Sequence, residues 1–356
     1  MNKLMLTLLL LVGCNAAFSQ LPDSTEVDYT LDNFTFTTGE TMPTLRLHYT
    51  TFGKPQKDKN GRTTNAVYIM HGTTGNSHNF VNQLFAGHLF EPGQLLDANK
   101  YYIILADGIG HGKSSKPSDG LRAKFPNYGY RDMVEAQFRL LTEGLAVNHL
   151  RLVMGTSMGG MHTWLWGEEH PDFMDALMPL ASLPTQISGR NRVWRRMIID
   201  SIRNSPDWQD GNYQVQPSGL RVALETLYFM GENPVLRMNE GPSLKQSDER
   251  LDYYVDGAMK RVDANDILYA LASSSDYDPA PGLDRIKAPL LAINSADDLI
   301  NPPELGVLER NLKQVKNARA IVIPYGADTV GHGSHTKAVL WKSDLVNFLG
   351  QTAANP

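Results

Sequence analysis

Cysteine is nearly missing from this chain. Its 356 residues contain one, Cys14, so no intrachain disulfide can form, and no cysteine nucleophile exists outside the amino-terminal segment. A basic excess is missing as well. Lys and Arg number 33 against 38 Asp and Glu, a formal net charge of -5 that provides no positive field for holding nucleic acid and sets that class of partner aside. Apolar runs of membrane-spanning length are also lacking: the longest, residues 4–12, falls well short of the roughly 20 residues a spanning helix needs, so no integral span is expected. No repeat period and no low-complexity tract is present, which excludes solenoid and linker-type functions.

The short apolar run has a different meaning. Lys3, the apolar residues 4–12 and the small residues after them form the pattern of a secretory signal peptide, so residues 1–19 are not counted as fold and the chain is expected to be exported, periplasmic or secreted. Two processing routes compete. Ala17, Phe18 and Ser19 before Gln20 suit plain cleavage, whereas Leu11-Val-Gly-Cys14 resembles a bacterial lipoprotein signal that would leave a lipid anchor at Cys14.

The remaining chain is rich enough in apolar residues, 42% overall, to build an enzyme-sized core. Short apolar segments alternate with amphipathic ones, which predicts an α/β fold with a mostly parallel central sheet flanked by helices. Strands are expected at 34–38, 45–52, 66–70, 101–106, 151–154, 176–180, 290–294 and 320–323, the last six buried on both faces. Helices are expected at 131–146, 160–170, 303–315 and 336–349. About a hundred residues of different character, with Trp194, Trp208, Tyr228, Met230, Tyr253 and Tyr254, separate the sixth and seventh strands and predict an inserted helical cap. The expected organisation is therefore signal peptide 1–19, core 20–183, cap 184–285 and core 286–356.

The strongest chemical signal is Gly155-Thr-Ser157-Met-Gly159, a G-x-S-x-G turn with a buried strand before it and a helix after it. Glycines flank the serine because side chains there would collide with the neighbouring strand and helix. A serine hydroxyl needs a base to take its proton and an acid to orient that base, both further along the chain. The apolar strand at 290–294 ends in a loop with two adjacent carboxylates, Asp297 and Asp298, and the loop after the last strand carries His332 and His335. At this level either aspartate can be the acid and either histidine the base. The two histidines also admit a metal-ligand reading, but no His or acidic cluster stands beside them, and no metal or cofactor is predicted. The oxyanion of an acyl-transfer intermediate requires two backbone N–H donors. Met158, after the nucleophile, supplies one, and Thr73 in His71-Gly-Thr73-Thr-Gly75 is assigned the other. His71, His111, His162 and His170 are read as packing or loop support.

These residues identify a resemblance. His71-Gly-Thr-Thr-Gly75, the segment Tyr130-Arg-Asp-Met-Val-Glu-Ala-Gln137, Gly155-Thr-Ser-Met-Gly-Gly-Met161 and Asp298-Leu-Ile-Asn-Pro-Pro303 resemble the homoserine O-acetyltransferase branch of the α/β-hydrolase superfamily. The resemblance covers most of residues 45–182 and resumes at Pro289. It implies the α/β-hydrolase fold and a triad of Ser157, Asp298 and His332, since the family's acid precedes a proline by four positions, as Asp298 precedes Pro302, and its base is the Gly-His pair entering the last helix. In that family the serine carries an acetyl group from acetyl-CoA to a homoserine hydroxyl. One loop departs from the pattern: Asp107-Gly-Ile-Gly-His111-Gly-Lys-Ser114 stands where the acetyltransferases have an Asn-x-x-Gly-Gly-Cys-x-Gly type of loop, and is similar to ordinary hydrolases. An exported enzyme, moreover, meets water everywhere and coenzyme A esters rarely. The expected function is an esterase-like serine hydrolase cleaving a small acyl ester. The alternatives are an O-acyltransferase passing the acyl group to a small alcohol and, from another class, a non-catalytic binding protein on the same fold.

Expressed with its own amino terminus in a bacterium, the protein should lose its leader and appear outside the cytoplasm. The mass of the mature chain separates a start at Gln20 from a lipid-modified Cys14, and an intact Met1 in the cytoplasm contradicts both routes.

Overall fold

The computed structural model describes residues 23–231 and 233–352. The leader and Cys14 lie outside the described residues. Eight strands form one sheet in the order β1-β2-β4-β3-β5-β6-β7-β8. The strands are β1 Ser24–Thr35, β2 Thr41–Phe52, β3 Ala66–Met70, β4 Tyr102–Ala106, β5 Leu152–Thr156, β6 Leu177–Leu180, β7 Leu290–Ser295 and β8 Ala318–Ile323. β1 and β2 form an antiparallel ribbon joined antiparallel to β4, and from β4 onward the strands run parallel.

The parallel strands show why their apolar runs are nearly continuous. Along β3 and β4, Tyr68, Met70, Ile104 and Ala106 enter one core while Val67, Ile69, Ile103 and Leu105 enter a second core on the opposite face. A period of two with both faces covered leaves no position for a polar side chain. The first core is closed by α2 Tyr130–Arg139 and α3 Met158–Glu169, through Met133, Trp164, Leu165 and Trp166. The second is closed by α1 Ala86–Leu89 and α10 Lys342–Gln351, with Phe85, Phe90, Trp341, Leu345 and Phe348.

Between β6 and β7 the chain folds as α4 Gly189–Arg203, α5 Ser218–Gly231, α6 Pro234–Glu240, α7 Leu244–Met259 and α8 Ala264–Ala272. α9 Val307–Leu312 follows β7. No helix of the described residues is long and apolar enough to cross a membrane.

Several expected elements need correction. The first strand is not 34–38 but Ser24–Thr35, and residues 36–40 turn back through Phe36 N–H to Glu40 O (2.9 Å) and Gly39 N–H to Phe36 O (2.8 Å). The error has a cause: β1 lies at the sheet edge and is exposed along most of its length, so it lacks the apolar pattern, whereas Phe34 and Phe36 at its end are buried. β8 is only partly buried, against the expectation of burial on both faces, because it closes the opposite edge. The helix expected at 131–146 runs as α2 and then widens into a π-helical stretch at Leu140–Gly144, and that at 160–170 starts earlier, at Met158. The segments 303–315 and 336–349 break into short 3-10 turns before α9 and α10.

Trp341 joins this packing to the loop that carries His332. It is fully buried, its ring lies 5.7 Å from that of Phe85, and its Nε1–H donates to His335 O at 3.1 Å. Trp341→Ala should therefore cost about 3–5 kcal/mol in denaturant unfolding. A loss below 1 kcal/mol would show that the loop and α10 are not held by this side chain.

Candidate active site

β5 ends at Thr156 and α3 begins at Met158, leaving Ser157 alone to turn the chain. Its φ of 57° and ψ of -110° lie where an L side chain is strained. No room exists for larger neighbours. A Cβ on Gly155 would stand 2.2 Å from Gly159 O, one on Gly159 2.1 Å from Met70 O, and one on Gly160 2.3 Å from Leu180 O. The close approach of strand, turn and helix thus fixes Ser157 at the carboxyl end of the central strands.

His332 reaches this serine from the loop after β8. Ser157 Oγ–H donates to His332 Nε2 at 2.8 Å, and His332 Nδ1–H donates to Asp298 Oδ2 at 2.8 Å. Asp298, on the loop after β7, is fully buried. Its Oδ1 accepts the N–H groups of Ile300 (2.8 Å) and Asn301 (3.1 Å), and its Oδ2 accepts the Asn301 amide (3.1 Å), which also donates to Ala181 O at 2.9 Å. Burial pushes the Asp298 pKa up, but the His332 imidazole and the Asn301 hydrogen bonds outweigh it, and the net shift is below the ordinary carboxylate value.

The neighbouring carboxylate has other work. Asp297 Oδ2 accepts Gly331 N–H (2.8 Å) and the Asn233 amide (2.7 Å), and its Oδ1 accepts the Ser295 hydroxyl. It thereby tethers the histidine loop next to His332. Burial opposes its charge, yet the Ser295, Gly331 and Asn233 hydrogen bonds lower its pKa overall.

His335 makes no hydrogen bond to Ser157 or Asp298 among the described residues. Its ring stands edge-on to that of His332, centroids 5.2 Å apart, and burial, then the adjacent His332, lower its pKa to about 3. It is neutral at working pH. As metal ligands the two histidines fare poorly, because both ring nitrogens of His332 are already engaged by Ser157 and Asp298. No group of three or more metal-ligating side chains occurs among the described residues.

Met158 follows Ser157 directly as the first residue of α3, and Thr73 lies on a neighbouring loop. A Cβ on Gly72 would be 3.5 Å from Ser157 Cβ, so the Thr73 loop passes directly beside Ser157. The N–H groups of Thr73 and Met158 have no acceptor among the described residues. The loop is held by imidazoles. His71 Nδ1–H donates to Gly72 O (2.8 Å) while its Nε2 accepts Gly108 N–H (2.9 Å), and His111 Nε2 lies 2.7 Å from Thr73 O. Burial, then His111, lowers the His71 pKa to about 4.

Above Ser157 lies a cavity of about 370 Å³, lined by Thr73, Met161 and His332 from the core and by Arg195, Tyr228 and Tyr254 from the α4–α8 segment, among others. Nothing in the local sequence pattern singles out Asn301 or Arg195, whereas His111 supports the loop as its sequence reading expects. A three-residue offset from the acid marks Asn301 as a turn residue at most, and Arg195 sits in an ordinary amphipathic helix.

A mostly parallel sheet with a strand–serine–helix turn, an acid after the next-to-last strand and a histidine after the last defines the α/β-hydrolase architecture. A family model described as the alpha/beta hydrolase fold matches residues 65–330, and the chain belongs to that family. Within it, the chain is 29% identical over 316 residues to a homoserine O-acetyltransferase of Haloarcula marismortui, covering 76% of each chain. A crystal structure of a homoserine O-acetyltransferase from Bacillus anthracis superposes with a TM-score of 0.81 at 21% identity, covering 93% of this chain and 99% of that one. Esterase E22 superposes with a TM-score of 0.80 at 19% identity, covering 92% and 100%. The likeness to the homoserine O-acetyltransferase branch expected from the motifs is thus present over most of the chain.

The two carboxylates and two histidines separate in four variants assayed on one responsive ester. His332→Ala and Asp298→Asn should each lose on the order of a thousandfold or more in turnover, since one removes the group bonded to Ser157 and the other the group that fixes its tautomer. His335→Ala and Asp297→Asn should stay within about tenfold of the parent, their contacts being with loop and ring rather than the serine. Survival of His332→Ala together with loss in His335→Ala would reverse the assignment of the histidines. Acid should also destabilise the fold. The folded pKa values of Asp298, His71 and His335 all lie below their unfolded ones, so the stability they contribute is complete above the unfolded values and drains away as pH falls through the folded ones. For the histidines that decline begins near pH 6.5, and Tm should fall between pH 7 and pH 5.

Proposed function

We propose that this protein is an esterase-like serine hydrolase that cleaves a small acyl ester through an acyl-enzyme on Ser157, with residues 184–285 as its cap, and that it acts outside the cytoplasm once its leader is removed. The observation that carries the reading is the unbroken hydrogen-bonded series from Ser157 Oγ through His332 to buried Asp298, with Ser157 and His332 lining a cavity of about 370 Å³.

In the proposed reaction Ser157 Oγ attacks the ester carbonyl carbon as its proton passes to His332 Nε2. Negative charge collects on the carbonyl oxygen, beside the free N–H groups of Thr73 and Met158, and Asp298 stabilises the imidazolium. The tetrahedral species collapses when His332 gives its proton to the departing alcohol oxygen. Water then repeats the sequence on the acyl-enzyme, delivering one proton to His332 and the hydroxyl to the acyl carbon, and releases the carboxylic acid with Ser157 restored.

Water as the acceptor is supported by the 107–114 loop, which is closed on itself. Asp107 Oδ1 accepts Ser77 N–H (2.7 Å), Oδ2 accepts Lys113 N–H (2.8 Å), and Ser114 Oγ–H donates to Asp107 O (2.7 Å). Gly112 fits only because no side chain stands there, a Cβ being 2.0 Å from Asp107 Oδ2. Transfer to a small alcohol is the second reading, favoured by the similarity to homoserine O-acetyltransferases. Both share the acyl-enzyme and differ in what resolves it.

An uncharged fluorophosphonate should label Ser157 in the native protein, because only a base-activated hydroxyl attacks such reagents quickly. Equal labelling of Ser157→Ala sinks the assignment and leaves the binding-protein alternative. Given an acetyl ester in water with and without a small alcohol, the enzyme should yield free acid as its main product. A product mass showing mainly the acylated alcohol would establish the transferase reading instead.

A further inference from the structure

One cation in the cavity has no counter-ion. Arg195 on α4 is 5% exposed and lines the same cavity as Ser157 and His332. Its Nε donates to Asn191 Oδ1 at 3.1 Å and its Nη1 to Ser274 Oγ at 3.2 Å, both neutral partners, and the uncharged phenol of Tyr130 lies beside it. Its contacts are thus all with uncharged groups, and Arg195 takes part in no ion pair among the described residues. No aspartate or glutamate is among the described residues lining the cavity.

Elsewhere the protein treats sheltered arginines differently. Arg131 pairs with Glu168 and Glu169, and Arg62 and Arg151 share Asp175. Leaving a guanidinium desolvated without an opposing charge is unfavourable, and burying one beside neutral groups alone compensates little of that cost. Asn191 and Ser274 fix the head group by two of its five N–H donors, so the remaining donors are held in place rather than free to swing. A planar guanidinium held this way matches the two oxygens of a carboxylate.

We propose that the substrate is an ester bearing a carboxylate, and that Arg195 binds that carboxylate and selects for it. The proposal rests on the reading of Ser157 as the nucleophile. It concerns the charge of the substrate, on the acyl or the alcohol side of the scissile bond, and a cavity of about 370 Å³ restricts it to a small molecule.

Two matched pairs of esters locate the charge: 4-nitrophenyl hemisuccinate against 4-nitrophenyl butyrate for the acyl side, and 3-acetoxypropionate against butyl acetate for the alcohol side. In one pair the wild-type kcat/KM for the charged ester should exceed that for its neutral counterpart by about tenfold or more, a ratio that Arg195→Gln brings close to one and Arg195→Lys partly restores. A measurement independent of any ester accompanies this. Millimolar glutarate should slow fluorophosphonate labelling of wild-type Ser157 and leave the labelling rate of Arg195→Gln unaltered. A preference for the neutral ester in both pairs overturns the proposal, as does a charged preference that survives Arg195→Gln. Normal labelling that glutarate does not slow overturns it too, without touching the serine mechanism. Absence of labelling in the wild type instead removes the nucleophile reading on which the proposal stands.

Discussion

Everything at this site depends on one constrained peptide turn. Ser157 can face the cavity only because its backbone occupies a positive φ, and it can do so only because β5, α3 and β3 approach until no Cβ fits at 155 or 159. Strain of this kind costs on the order of 1–3 kcal/mol and persists only when the surrounding packing dictates it. The packing here does. Ser157 N–H donates to Leu180 O and Gly159 N–H to His71 O, both at 2.9 Å, so the turn is bonded to a strand on one side and to the 71–75 loop on the other. The position of Ser157 is thus a property of the sheet core, far better packed than a surface loop.

The partners of the serine come from loops, and the two adjacent aspartates show how loops acquire comparable rigidity. Asp298 spends its lone pairs on His332 and the Asn301 turn, while Asp297 spends its own on Gly331 N–H, one residue before the histidine. Both ends of the short Gly331-His332 segment are therefore tied to the same β7 loop. One carboxylate orients the imidazole and the other orients the backbone carrying it. Neither contact requires a long element, and this explains why a histidine 175 residues from the serine in sequence arrives at 2.8 Å.

What was legible in the sequence follows from the same physics. β3 through β7 are buried on both faces, which produces compact apolar runs, and the strand at 66–70 is read to the residue. β1 and β8 are edges whose exposed residues carry no such pattern, so apolar patterning misplaces the first and overstates the burial of the last. The serine was legible because its turn demands glycines at fixed spacing. Choosing between Asp297 and Asp298, or His332 and His335, required family likeness, because adjacent positions share the same local pattern and differ only in where the fold points them. Arg195 was beyond reach for a related reason: that a guanidinium lacks a carboxylate is a fact about four separate segments, which meet only in the folded chain.

The free N–H groups beside Ser157 follow from peptide planarity. In the Gly72–Thr73 peptide the carbonyl is occupied by the His71 imidazole and by Gly75 N–H at 2.9 Å, and a trans peptide sets its N–H opposite its C=O, so Thr73 N–H faces away from those partners. In the Ser157–Met158 peptide the carbonyl accepts Met161 N–H at 2.9 Å as the first bond of α3, which turns Met158 N–H outward at the helix amino terminus, the positive end of its dipole. Both donors are oriented by acceptors engaged on the far side of the same peptide. In the proposed reaction neither has to rotate as charge builds on the substrate oxygen, and the reorganisation that water would have to undergo has already been completed by folding. The buried, neutral His71 belongs to this arrangement, since an imidazolium there could not accept Gly108 N–H and donate to Gly72 O at once. The neutral imidazole is therefore what lets His71 bridge the 71–75 loop to Gly108.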